Sequence, residues 1–113
     1  MRRVTARTAH EIPDRPALQL SIGETVQVGD RDTEWPEFVF VTASGGTGWV
    51  PARHLSRPTE SAIVDKAYDT TELATQVGEL LDVIAEDSAS GWLWCRTSSG
   101  QQGWVPINTV EDN

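Results

Sequence analysis

Gly48-Trp49-Val50-Pro51 returns 55 positions later as Gly103-Trp104-Val105-Pro106, and this repeat constrains the chain more than any other feature. The same offset aligns Leu18 with Leu73, Gly23-Glu24 with Gly78-Glu79, Val28 with Val83 and Asp32 with Asp87. It also aligns Thr42 with Thr97 and Ser44-Gly45 with Ser99-Gly100, giving 12 identities over the 39 positions from 17–55 against 72–110, without a gap. Two copies make a tandem duplication, since a stacked array needs at least three. Each half would bury only about 60% of the surface its extended chain exposes, so each alone is marginal. No disulfide can form within the chain, because Cys95 is the one cysteine.

The clearest local signal is a β-hairpin over residues 91–106. Leu93 and Cys95 alternate with Trp92, Trp94 and Arg96, so a strand here buries one set and shows the other. Ser98-Ser99-Gly100-Gln101 supplies the reversal, with Gly100 free to take a positive φ. Gly103 lets another backbone approach, and Pro106, lacking an N–H, ends the ladder. Elsewhere Thr25–Val28 alternates with Val26 and Val28 inward, and Leu80–Ala85 reads as a strand. Phe38-Val39-Phe40-Val41 is apolar on both faces, which calls for cover from another part of the molecule. Met1–Thr8 reads as a basic arm or a short first strand from Val4, Pro13–Pro16 as a rigid loop, and Ser56–Ser61 as a short linker. No long amphipathic helix is visible. The expectation is an all-β chain of two five-stranded barrels packed against each other, a first domain over 1–57 and a second over 58–113. Leu81, Val83, Leu93, Cys95 and Val105 form the expected core of the second.

The net charge of −8 is unevenly placed along the sequence. Residues 1–57 carry seven basic and seven acidic side chains, whereas residues 58–113 carry two against ten. An acidic second half disfavours nucleic acid, whose binding rests on Lys and Arg neutralising phosphates, and favours a basic partner. The plain alternative is that the charge keeps the chain soluble. Two histidines and one cysteine are too few for a zinc site, no Gly-rich phosphate loop occurs, and no serine sits in a Gly-x-Ser-x-Gly elbow. The chain is therefore expected to be non-catalytic, with no cofactor and no metal. It lacks the apolar run of a signal peptide or a membrane span, so a cytoplasmic monomer without membrane contact is expected.

Glu72-Leu73, Gly78-Glu79, Leu81-x-Val83-Ile84, Asp87, Gly91-Trp92-Leu93-x-Cys95-Arg96 and Gly103-x-Val105-Pro106-x-Asn108-x-Val110 together resemble an SH3 domain across residues 62–111. The first half resembles it more loosely across 4–57, and the pair is similar to small bacterial proteins carrying tandem variant SH3 domains. That resemblance implies a groove of aromatic side chains for an extended, proline-rich peptide. It places Trp92 at the central indole, Pro106 in the floor and Asn108 as a hydrogen-bonding group, with Tyr68 as an aromatic wall; Trp94, outward by alternation, is a candidate to flank the ligand. It places Asp65, Asp69, Glu72, Glu86 and Asp87 in the loops that hold a basic ligand residue. Val64 and Lys66 replace the family's paired tyrosines, and Thr109 a third. In the first half the central indole falls on Glu37, with Trp35 two residues early.

Each of these residues has a structural alternative. Trp92 and Trp94 could pack on the other domain, Trp49 and Trp104 serve the barrel, and the carboxylates form a solvated face. Trp35, Phe38, Val39, Val41 and His54 mark either a second site or an interdomain contact. The expected function is a protein-interaction module for an extended, basic or proline-containing segment of a cytoplasmic protein. The alternatives are an accessory subunit docked on an enzyme and a module that binds cell-wall peptides.

Overall fold

A computed structural model describes residues 2–12, 16–56 and 60–112. Arg57–Thr59 of the expected linker and Pro13–Arg15 of the expected rigid loop lie outside the described residues. The strands are β1 (Arg3–Ala6), β2 (Gln19–Leu20), β3 (Thr25–Arg31), β4 (Phe38–Ala43), β5 (Gly46–Pro51) and β6 (Leu55–Ser56). They continue as β7 (Ser61–Val64), β8 (Tyr68–Asp69), β9 (Leu80–Asp87), β10 (Trp92–Arg96), β11 (Gln102–Pro106) and β12 (Val110–Asp112). Single 3-10 turns at Ala52–His54 and Ile107–Thr109 precede β6 and β12. Two five-stranded antiparallel sheets result, ordered β5-β4-β3-β7-β6 and β11-β10-β9-β1-β12, with a further pair β2-β8.

The sheets do not follow the repeat. Only residues 57–60 separate β6 from β7, and those strands pair antiparallel, Leu55 with Val64 and Ser56 with Ile63. A connection that short between neighbouring antiparallel strands closes a hairpin. The first strand of the second repeat therefore completes the sheet built by the first repeat, pairing also with β3 through Val26 and Ala62. Its place in the other sheet is taken by β1, between β9 (Val4 with Leu81) and β12 (Ala6 with Val110). The compact units are a contiguous one, residues 16–70, and a split one, residues 1–15 with 71–113. The limits 1–57 and 58–113 are thus those of the duplication and not of the folded units. The strands on either side of the expected interdomain linker, β6 and β7, pair with each other in the contiguous unit.

This exchange redistributes charge. The split unit carries five basic and nine acidic side chains and the contiguous unit four and eight, so each has a net charge of −4. The N-terminal segment is a strand, with Val4 and Ala6 buried. Its arginines meet the carboxylates of the second repeat: Arg2 pairs with Glu86 and, at 2.9 Å, with Asp112, and Arg3 with Asp82 at 3.0 Å. Such exposed pairs are screened by water and contribute little, so burial of Val4 and Ala6 is what holds the strand.

The core of the split unit is Val4, Leu73, Leu81, Leu93, Cys95, Val105 and Val110. Val83 is partly buried and packs against this core, and Val28 in the contiguous unit is partly buried as well. In β4, Phe38, Val39 and Val41 are buried, while Phe40 lies edge-on to Trp49 of its own hairpin at 5.2 Å. Trp94 and Trp104 repeat that edge-on pair at 5.2 Å. Ser21–Glu24 and Gln76–Glu79 are twin turns in which Gly23 and Gly78 both take φ +90. Gly103 does admit a backbone: a Cβ there would stand 2.9 Å from the Glu72 carbonyl carbon and 3.0 Å from the Leu73 nitrogen.

Candidate functional site

Trp92 opens β10 opposite Pro106 on one side and Asp87 on the other. It is half-buried, with its indole nitrogen out of solvent. The ring beside it is His10, edge-on with centroids 5.6 Å apart. His10 is fixed through its backbone by Thr75, with N–H to O bonds of 3.2 and 3.0 Å in the two directions, and Thr75 is buried. Its Nε2 lies 2.9 Å from Glu72 Oε1. Glu72 is placed in turn by its neighbours, because Trp104 N–H donates to Thr71 O and Leu73 N–H to Trp104 O. Only glycine at 103 allows that approach. Pro106 is buried and leads into the 3-10 turn, where Thr109 Oγ1 donates to Pro106 O at 2.8 Å. Asn108 is exposed, and its carbonyl accepts from Arg7 Nε and Nη2 at 3.2 and 2.9 Å.

Trp92, Pro106, Asn108 and Glu72 share one unit, whereas Tyr68, Asp65 and Asp69 belong to the other. The hydrogen bonds show what stands in their place. Arg7 and Thr8 donate to Thr109 O as Asp65 and Lys66 donate to His54 O. His10 bridges Thr75 as Tyr68 pairs with Leu20. Arg7 is thus the counterpart of Asp65, and His10 that of Tyr68. His10 therefore stands in this unit where an aromatic residue was expected in Tyr68, and Arg7 where a carboxylate was expected in Asp65. His10 and Arg7 were not singled out in the sequence. The shortness of the sequence between β6 and β7, four residues, is the signal that points to them.

The other expected carboxylates have local duties. Glu86 pairs with Arg2, and Asp87 holds the turn to Gly91, its Oδ1 accepting from Ser90 N–H at 3.4 Å and its carbonyl from Gly91 N–H at 2.9 Å. Trp94 donates from Nε1 to Gln102 Oε1 at 2.9 Å. In the contiguous unit Tyr68 is buried edge-on to His54 at 5.0 Å, and Asp69 Oδ2 accepts from Gln19 at 3.1 Å. Asp65 is exposed. Phe38 faces Pro51 as Trp92 faces Pro106, so the central position belongs to Phe38 and not to Glu37. The gapless alignment hides one extra residue in the second hairpin: four residues lie between the paired Thr42 and Thr47, five between Arg96 and Gln102. Phe38, unlike Trp92, is buried, and the nearby Trp35 is half-buried in its loop.

Cys95 is fully buried, and loss of solvation pushes its thiol up to about 11, against a small opposing pull from Arg2. It is a core residue. Among the described residues no group of three or more His, Cys, Asp or Glu side chains could hold a metal ion. Among the described residues no helix is long and apolar enough to cross a membrane.

The family model described as variant SH3 domain matches residues 3–57 and again 65–112. The chain belongs to the variant SH3 family. Both matches follow the duplication in sequence, whereas the folded SH3 units each borrow their first strand from the other copy. Similar proteins include the myosin IB heavy chain of Dictyostelium discoideum, 38% identical over 56% of this chain and 6% of that protein. SH3 and PX domain-containing protein 2A of Mus musculus is 46% identical over 41% of this chain and 4% of its own. Formin-binding protein 1-like of Xenopus laevis is 41% identical over 34% of this chain and 7% of its own. The chain thus spans under a tenth of each of these relatives. No solved structure matches. SH3 domains are generally non-catalytic protein-interaction modules, and membership of the family makes this chain a protein-interaction module.

Proposed function

We propose that the split SH3 unit binds an extended, proline-containing segment of a partner protein, without catalysis, on the shelf formed by Trp92, His10 and Pro106. The observation that carries this reading is the half-buried indole of Trp92, flanked by a second ring and a proline, with Glu72 at its edge. An extended proline segment has little entropy to lose on binding, and its rings stack on an indole. Glu72 takes a basic residue of the ligand. Equal charges of −4 on the two units mean that attraction of a basic partner is a property of the whole chain and acts mainly on the association rate.

Affinity is on the order of micromolar for so small a contact, and it falls with salt. A panel of proline-rich peptides, with and without arginine, titrated into labelled protein tests this by NMR. Shifts should gather on Trp92, His10, Glu72 and Asn108, and Trp92→Ala should abolish binding while leaving the unfolding transition nearly in place. A confirmed ligand that leaves Trp92 unmoved defeats the reading. One observation favours the accessory-subunit alternative: the aromatic pairs Phe40–Trp49 and Trp94–Trp104 recur on corresponding hairpins of both units. Purification with one enzyme in fixed ratio, lost on Trp94→Ala, would support it.

A further inference from the structure

His10 also lines a depression of about 840 Å³ in the split unit, between residues 9–12 and 74–79. Its apolar lining includes Ile12, Ala74 and Val77, and its carboxylates are Glu11 and Glu79. Among the described residues no lysine or arginine lines it, and neither Trp92 nor Glu72 does. The other unit shows why the chain leaves room here. In the contiguous unit the same short ladder pairs Leu20 with Tyr68 and Gln19 with Asp69, and Gln19 Nε2 donates to Asp69 Oδ2 at 3.1 Å. In the split unit His10 bridges Thr75, so Glu11 stands in the place of Asp69 and Ala74 in the place of Gln19. Alanine is too short to fill that space and carries no donor, and threonine for Leu20 removes further volume. Glu11 is exposed and lacks the bond that Asp69 has.

We propose that this depression is a second binding site of the split unit, which takes a basic side chain, lysine or arginine, of a partner protein. The aliphatic stem lies against Ile12, Ala74 and Val77, and the cationic head meets Glu11 and Glu79. Long basic side chains are suited to such a place, because they lay the stem on apolar surface and keep the charge in water. The head supplies the donor that Gln19 supplies in the contiguous unit. Charge complementarity selects this occupant: the described lining offers two carboxylates and no cation to repel it. Exposed carboxylates add little affinity each, so burial of the stem holds the ligand while charge sets its sign. The contiguous unit is closed at the corresponding position by its own Gln19–Asp69 pair. The site does not depend on the Trp92 shelf being occupied.

The test uses the full chain and a capped six-residue peptide of alternating leucine and lysine, without proline, against the same peptide with glutamate for lysine. The lysine peptide should shift the NMR methyl signals of Ile12, Ala74 and Val77 saturably, and the glutamate peptide should leave them in place. Ala74→Gln, which rebuilds the pair of the contiguous unit, should remove the Ile12 and Val77 shifts while the unfolding transition stays where it was. Glu11→Gln, at an exposed position, should weaken binding about two- to fivefold, the range of an exposed charge pair. Methyls unmoved by the lysine peptide overturn the proposal, and so do shifts of the same size from the glutamate peptide or after both substitutions. Methyl shifts that grow with protein concentration alone, as the mass by light scattering doubles, would make this face an interface between copies and also overturn it. A lysine peptide that moves the Trp92 indole and not these methyls would assign the basic residue to the shelf. Ala74→Gln should leave the proline-rich peptides bound at Trp92, so failure of either site is read separately from the other.

Discussion

Two residues test how tightly the split unit is built. Cys95 sits among Val4, Leu93 and Val105 with no exposed surface, and its thiol is held protonated up to about 11. An unfolded chain gives up that proton near the ordinary thiol value of about 8.5. The folded state therefore binds the proton more tightly, and its stability should decline as pH rises from about 8.5 toward 11. Chemical unfolding of native protein against Cys95→Ala across that range should show a steeper decline in the native protein. Thiol labelling of the folded chain should be far slower than that of a free cysteine. Gly103 and Gly48 occupy the same repeat position but face different neighbours. A methyl at 103 would meet backbone at 2.9 Å, while one at 48 would meet the Thr70 methyl at 3.3 Å, which can give way. Gly103→Ala should cost about 1–3 kcal/mol, the usual range for overpacking, and Gly48→Ala clearly less, as read from denaturant midpoints.

At the level of elements, the strands were legible and their partners were not. The alternation of Leu93 and Cys95 with Trp92 and Trp94 marks β10, and the polar run through Gly100 marks its turn, where Gly100 takes φ +95. Gly103 also proved to be a point of close approach. Alternation says which face a residue takes but nothing of which strand lies alongside, because every first strand of this fold offers the same short apolar pattern. Val4-Thr5-Ala6 and Ala62-Ile63-Val64 are interchangeable on that score. Trp92 was legible as an outward indole, whereas its neighbour His10 comes from 82 residues earlier and depends on the pairing of β1. Val4→Ala follows from that pairing. It removes buried methyl groups from the split unit and should cost about 1–3 kcal/mol. Amide exchange should quicken across β9, β10 and β12 while β3 and β4 keep their protection. Pairing within the first repeat would give the reverse.

For the whole molecule, the exchange lies in how the strands pair. Four positions of sequence separate β6 from β7, the two strands are neighbours in one sheet, and the first strand of each repeat completes the sheet of the other. The duplication is plain in the sequence because it is written in identities. The exchange is written only in the shortness of a connection, which at first sight also suits a linker between two ordinary domains. Its consequences reach the site: a surface that looked acidic along the chain gains Arg7 and His10, and a neutral first half and a charge of −8 become two units of −4. Cross-strand NMR contacts in the full chain, at a concentration where light scattering gives the mass of one chain, test the exchange most directly. The account predicts backbone contacts between Val4 and Leu81 and between Val26 and Ala62. Contacts between Val4 and Val26 in their place would contradict it.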